Sequence, residues 1–410
     1  MRIESFGLLR FGIVGSLVLL ASGCDDDNRR AAFAPYDVPN SVVIGDFNAD
    51  GAPDLAVAAT HVDGNFPNPG LVGVILQNRN TPGTFQPSID ITTNVFNPSV
   101  IVAADLNGAG APDLAVANAY SGNVSVLINS ATAGQFSPVE NINVGGVPYD
   151  IDAGDLNGDG AVDLVVADDG QRTSVVVLTQ DIANRGKFLA PALLAVGDRV
   201  TAVAVGDING DGRNDIATTS QNSFGAGQVS LFLQDPASPG QFLPRVDLSA
   251  GPEPLSVKIG DLDGDGRADL AIANEGPGYG VIGSAGVSVL LQNPAQAGTF
   301  FAPVTYATGR SSVCVTIGDL NGDGRPDLAV ANAGGWRGSV SVLLQDSVRP
   351  GVFLSAVNYS GVYEPLGLAI GDLNGDGRSD IAVADGDRAT IMLQSSTAPG
   401  TFAAPVLVGK

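Results

Sequence analysis

Seven stretches of this chain carry three or four oxygen-bearing side chains within nine residues. They begin at Asp46, Asp105, Asp155, Asp207, Asp261, Asp319 and Asp372, and share the pattern Asp-x-Asn/Asp-x-Asp-Gly-x-x-Asp. Carboxylate and amide oxygens set this close are the donors a hard divalent cation takes, and Ca²⁺ wants six to eight of them. Positions 1, 3, 5 and 9 would supply side chains, position 7 a backbone carbonyl, and the glycine at position 6 the sharp turn. The candidate ligands are Asp46, Asn48, Asp50 and Asp54; Asp105, Asn107 and Asp113; Asp155, Asn157, Asp159 and Asp163; Asp207, Asn209, Asp211 and Asp215; Asp261, Asp263, Asp265 and Asp269; Asp319, Asn321, Asp323 and Asp327; Asp372, Asn374, Asp376 and Asp380. The second copy has Ala109 at position 5, so six to seven sites are expected. Position 7 varies (Ala52, Ala161, Arg213, Arg325), as expected where only its carbonyl is used. No Glu stands at position 12 and an apolar run follows at once, which excludes an EF-hand. The alternative is an ion-free Asp/Asn/Gly turn held by side-chain to backbone hydrogen bonds. Against it, carboxylates so crowded repel one another unless a cation is present.

The loops recur every 50 to 59 residues, and each precedes a short Leu/Ile/Ala/Val run. In the copy from Ser311 to Pro350, Val313, Val315 and Ile317 alternate with other residues, as in a half-buried strand ending at Gly318. Leu328 to Ala331 reads as a second strand and Ser339 to Leu344 as a third. A fourth opens at Phe353 and runs to about Tyr359. That aromatic returns as Phe85, Phe136, Phe188, Phe242, Phe300 and Phe402. Four strands per repeat and seven repeats predict an all-β, seven-bladed β-propeller of four-stranded antiparallel blades over residues 33–410. One such sheet alone buries little, so blades must stack face to face. Gly45, Gly154, Gly206, Gly260, Gly318 and Gly371 fit crowding near the axis. A linear β-solenoid is the rival, with rungs much shorter than ~50 residues. Phe33 to Val38 and Phe402 to Val408 both carry the fourth-strand pattern, and one of them is expected to complete the last blade.

The formal charge is −23, and the loops hold about half of the 43 acidic residues. Only 20 Lys and Arg are spread along 410 residues, which argues against a nucleic-acid partner. A single histidine, His61, in the turn from His61 to Gly70, removes histidine zinc sites and Ser-His-Asp chemistry. Gly278 to Gly283 matches Gly-x-Gly-x-x-Gly but lies between strands with no helix after it, so it is not a dinucleotide fingerprint. No catalytic group stands apart from the loops. Residues 1–23 have the arginines, apolar run and small-residue end of an export signal. Ala21, Ser22 and Gly23 directly before Cys24 resemble the bacterial lipoprotein signal, which implies lipidation of Cys24 and a polar tether over 24–32. Cys314 lies in an apolar strand and reads as a small hydrophobe.

The pattern Phe…Pro…Gly-Asp-Leu-Asn-Gly-Asp-Gly…Asp-Leu-Ala-Val-Ala resembles the FG-GAP and VCBS repeats of integrin α-subunits and secreted bacterial proteins. The resemblance covers about residues 33–408. It implies a seven-bladed propeller with Ca²⁺ held between the first and second strands of a blade, and no single activity. Metal loops then gather on one face, and the turns between second and third strands on the other. The second face would carry Phe66, Tyr120, Phe224, Tyr279 and Trp336, with Tyr149, Arg310 and Tyr363 nearby. Trp336, Tyr279, Phe224 and Tyr120 are the candidate ligand contacts, since aromatics with scattered Arg suit glycans or protein loops. The expected protein is a monomeric, lipid-anchored binding or adhesion module of the bacterial cell envelope. The competing expectation is a polysaccharide lyase or hydrolase on the same scaffold.

Overall fold

The computed structural model describes residues 36–62, 69–130, 134–137, 140–170, 173–276, 286–334, 337–386 and 388–409. The signal, tether and Cys24 lie outside these residues, as do Phe66, Tyr279, Gly278 to Gly283 and Trp336. Among the described residues every regular element is a β-strand. The strands form seven four-stranded antiparallel sheets, each built from four strands consecutive in the chain. Blade 1 runs from Tyr36 to Phe96, blade 2 from Pro98 to Asn143 and blade 3 from Pro148 to Ala195. Blades 4 to 7 run Arg199–Pro252, Pro254–Ala307, Ser312–Ser360 and Pro365–Val408.

The second strands explain why the sheets must stack. In Asp327–Asn332 all six residues are buried, and the same holds for Asp113–Asn118, Asp163–Asp168 and Asp269–Asn274. A strand apolar on both faces needs a neighbour on each side. Seven separate cores result, one between each adjacent pair of blades. Ala329 and Ala331 of blade 6 pack with Ile381 and Val383 of blade 7, while Leu328 and Val330 face Ala271 and Ala273 of blade 5. The seventh core joins Val42, Leu55 and Val57 of blade 1 to Ala382, Ala384 and Ile391 of blade 7, so the ring closes and the solenoid is excluded.

The predicted crowding is found; at five of the six glycines its cause is the next blade, while a Cβ on Gly45 would meet Phe47 of its own blade first, at 2.9 Å. A Cβ on Gly154 would stand 2.6 Å from Val205, and one on Gly318 3.0 Å from Ile370. The same contact recurs at Gly206 with Ile259, Gly260 with Ile317, and Gly371 with Ile44. First strands of neighbouring blades therefore interlock a β-branched side chain over a bare backbone.

Two expectations are corrected, on the fourth strand and on His61, and the choice left open at the termini is settled. The fourth strand is shorter than the pattern implied. Phe353 makes only an isolated bridge to Gln345, and the strand proper is Val357–Ser360; the same split recurs in all seven blades. Each of these phenylalanines turns inward to its inter-blade core instead of lengthening the edge. At the termini, Val406–Val408 pairs with the third strand of blade 7, whereas Tyr36 to Val38 extends the first strand of blade 1 against Thr60 to Val62. No blade borrows a strand from the opposite end of the chain. His61, expected in a turn, lies within the strand Asp54–Val62, opposite Asp37.

Candidate metal centres and the opposite face

Each acidic loop joins the first and second strands of its blade, and its backbone dictates where the oxygens point. Position-1 carboxylates accept the position-6 N–H at 2.7–2.9 Å in all seven copies, as in Gly324 N–H to Asp319 Oδ2. Position-3 oxygens accept the position-5 N–H at 2.7–3.1 Å, as in Asp323 N–H to Asn321 Oδ1. These bonds turn the side chains of positions 1, 3 and 5 into one small loop. Sequence reasoning assigned the left-handed turn to position 6 alone, but position 4 adopts it too. Gly158, Gly210, Gly264, Gly322 and Gly375 have φ of 72–77°, and Ala49 takes the same region at 56°.

Position 9 has a second task. Its carboxylate is buried in all seven blades and accepts two backbone N–H groups. In blade 5, Asp269 Oδ2 accepts from Leu262 (2.8 Å) and Oδ1 from Gln292 (2.7 Å). Burial pushes Asp54, Asp113, Asp163, Asp215, Asp269, Asp327 and Asp380 up to about 6, against the pull of those N–H bonds. Gln292 then reaches two carbonyls with its amide: Ala268 in its own blade and Ile208 in the loop of blade 4, both at 2.7 Å. The arrangement repeats through Gln345, Gln394, Gln77, Asn129, Gln180 and Gln234, with inter-blade bonds of 2.6–3.1 Å. Gln77 Nε2 to Leu373 O, at 2.7 Å, joins blade 1 to blade 7 and closes the circuit. An unbroken belt of hydrogen bonds thus passes through every acidic loop. The missed residue had a signal in the sequence: a Gln eight positions before the recurring Phe in six copies, with Asn129 in the second.

The donor set fits a hard divalent cation. Positions 1, 3 and 5 present carboxylate and amide oxygens, and an oxygen that accepts a single N–H, as Asp319 Oδ2 does, keeps a second lone pair for a metal. Blade 5 gathers most charge, with Asp261, Asp263 and Asp265 presenting oxygens all within 4.8 Å of one another. Burial, then repulsion from Asp265, raises the Asp263 carboxyl above its ordinary value, a conflict a cation would relieve. Asp269 lies outside that cluster, held by the belt. Blade 2 is different. Ala109 offers no oxygen, Asn107 Nδ2 approaches Asp113 Oδ1 at 3.4 Å, and Arg185 lies across Gly108. A Cβ on Gly108 would stand 2.7 Å from that guanidinium.

The loop and strand pattern matches the FG-GAP-like repeat family over residues 46–116, 105–166, 155–218, 219–272, 279–330 and 319–383. The chain belongs to the FG-GAP-like repeat family. An alignment 183 positions long, which covers 37% of this chain and 17% of the relative's length, is 30% identical to human integrin alpha-IIb. Among solved structures, the BP39L lectin from Burkholderia pseudomallei shares the fold at a TM-score of 0.63 and 14% identity, over 91% of this chain and 99% of that one. The exotype rhamnogalacturonan lyase YesX has a TM-score of 0.50 at 14% identity, over 85% and 70%. At such identities the likeness to both structures is one of fold.

The face of this FG-GAP propeller opposite the loops holds the described aromatics that the sequence singled out. Phe224 is 95% exposed on the turn between the second and third strands of blade 4. Tyr120, 54% exposed in blade 2, meets Phe96 of blade 1 edge-on with ring centroids 6.4 Å apart. Arg199 stacks 5.4 Å above the Tyr149 ring and pairs with Asp169 at 2.7 Å. Tyr363 is 47% exposed against Gly386, and Arg310 is exposed in the neighbouring blade. Phe96 and Arg199 were not singled out by sequence, because their partners come from adjoining blades. Nearer the axis, Asp150 and Asp152 accept the N–H groups of Val203 and Val205 at 3.0 and 2.9 Å. Burial opposes a charged Lys258, but Asp152 and Asp150 outweigh it and raise its affinity for the proton. Burial pushes the Cys314 thiol up, in keeping with an inert packing role.

Proposed function

We propose that this FG-GAP propeller is a calcium-stabilised binding module whose face opposite the acidic loops takes a protein or a glycan. The observation that supports it is the set of exposed aromatics on turns of unequal length around that face: Phe224, the Tyr120–Phe96 pair and Tyr363. Exposed rings fixed on a rigid ring of sheets lose little entropy on contact and present apolar faces to sugar C–H groups or to apolar side chains. The other face would hold calcium through the side chains of positions 1, 3 and 5 and the position-7 carbonyl, with the position-9 carboxylate beneath. When bound, the ion would neutralise the crowded carboxylates. Residues 1–23 would direct export and Cys24 would carry a lipid. The protein would then work as a monomer at the bacterial cell envelope, meeting the membrane only through that anchor.

The test is a glycan and protein array probed with the chain and with Phe224→Ala, Tyr120→Ala and Trp336→Ala. Loss of a bound ligand in at least one variant is the expected result. Ligand binding unchanged by all three would sink the placement of the site.

A further inference from the structure

We propose that the position-7 arginines of blades 4 to 7 are internal counter-cations that divide the acidic loops into two classes of calcium affinity. The carboxylate at position 5 carries the difference. In blades 1 and 3, position 7 is alanine. Asp50 Oδ1 accepts the N–H of Ala52 and Asp159 Oδ1 that of Ala161, both at 2.8 Å. Among the described residues no cation pairs with either carboxylate, so the second oxygen of each is open to a metal. In blades 4 to 7 the same N–H bond forms, at 2.9–3.0 Å, and the arginine side chain then folds back onto the second oxygen. Arg213 approaches Asp211 at 3.3 Å, Arg267 approaches Asp265 at 2.8 Å and Arg325 approaches Asp323 at 3.8 Å, while Arg378 pairs with Asp376. One residue thereby engages both oxygens of a candidate ligand.

The consequence is competition. A metal entering a latched loop must displace the guanidinium or share the carboxylate with it, and it meets a like charge a few ångströms away. These pairs are partly exposed, so the latch is weak and reversible. Blade 5 offsets its arginine with the additional carboxylate of Asp263, so Arg267 should matter least. The sequence hid this. The position varied between Ala and Arg, which fitted a residue used only for its carbonyl; the fold-back of the side chain gives the arginine copies a second role.

The inference rests on the calcium reading, and the experiment separates the two. The full chain, stripped with chelator, is titrated with CaCl₂ by calorimetry. Beside it run the quadruple variant Arg213→Ala, Arg267→Ala, Arg325→Ala, Arg378→Ala and the double variant Asp50→Asn, Asp159→Asn. Two affinity classes are expected in the parent chain. The double variant should lose the tighter class, and the quadruple variant should tighten the weaker class by about two- to tenfold. Replacing the four arginines with lysine should leave most of the difference in place, because the charge remains. Calcium binding that is identical in the parent and the quadruple variant overturns the latch and leaves the calcium reading intact. No calcium uptake by any form overturns both. The arginines are half-buried at the edge of the loops, and a melt of each variant in chelator confirms that the fold is kept.

Discussion

Ala49 stands where the other six loops place glycine, at a position the backbone requires to be left-handed. Its φ of 56° confines a Cβ-bearing residue to a region it avoids by about 1 kcal/mol. Glycine in the equivalent positions of blades 3 to 6 has little or nothing near the Cβ it lacks, so the demand is conformational and not one of space. Ala49→Gly is therefore expected to stabilise the chain by about 0.5–1 kcal/mol, less the entropy glycine recovers on unfolding. A denaturant midpoint that falls on this change would contradict the argument. The nine-residue motif was legible residue by residue, because an oxygen-rich spacing is a chemical pattern in one dimension. The conformation at position 4 was not. Its glycines look like ordinary turn residues until the φ angles separate them from a free choice.

At the scale of strands and blades, the recurring glutamine links each acidic loop to the one before it. Gln292 joins the carbonyl of Ile208 in blade 4 to its own blade through Ala268 and Asp269. Gln292→Leu keeps the volume but leaves the buried carbonyl of Ile208 and the part-buried one of Ala268 without this donor, which should cost about 1–3 kcal/mol. The same substitution at Arg349, on the exposed turn beside Gln345, should cost under about 0.5 kcal/mol. Urea unfolding of both variants is the check, and equal losses would show that the belt contributes nothing specific. Strand order within each blade was readable from alternation and turn residues. The fourth strand was misjudged because Phe353 and its equivalents look like edge residues in sequence. In the ring they fill the gap between blades, a place that exists only once a second sheet stands against the first.

Over the whole molecule, the position-9 carboxyls and Asp150 couple stability to pH. Each titrates near 6 in the folded chain, against the ordinary Asp value of 3.8. The folded state therefore binds more protons between these values, and the stability this gives below pH 4 is lost as pH rises through 6. Free of calcium, the chain should melt at a higher temperature at pH 5 than at pH 7.5; a higher melt at pH 7.5 in chelator would refute the assignment. Calcium favours the charged carboxylates, so the gain on acidification should shrink or invert when the ion is present. Sites of ~10⁻⁴ to 10⁻³ M would add about 0.4–1.4 kcal/mol each at millimolar calcium. Chelation of the loaded chain at neutral pH should accordingly lower its melting temperature by several degrees. By itself the sequence determined the repeat, the blade count and the oxygen chemistry of the loops, because periodicity and spacing are written locally. Tertiary structure alone decided which end completes the last blade, how glutamine ties one loop to the next, and which carboxylates meet an arginine. The glutamine belt depends on groups brought together only when blades stack and the ring closes, and the arginine contacts depend on how each loop folds its side chains back, so no residue pattern along the chain encodes those distances.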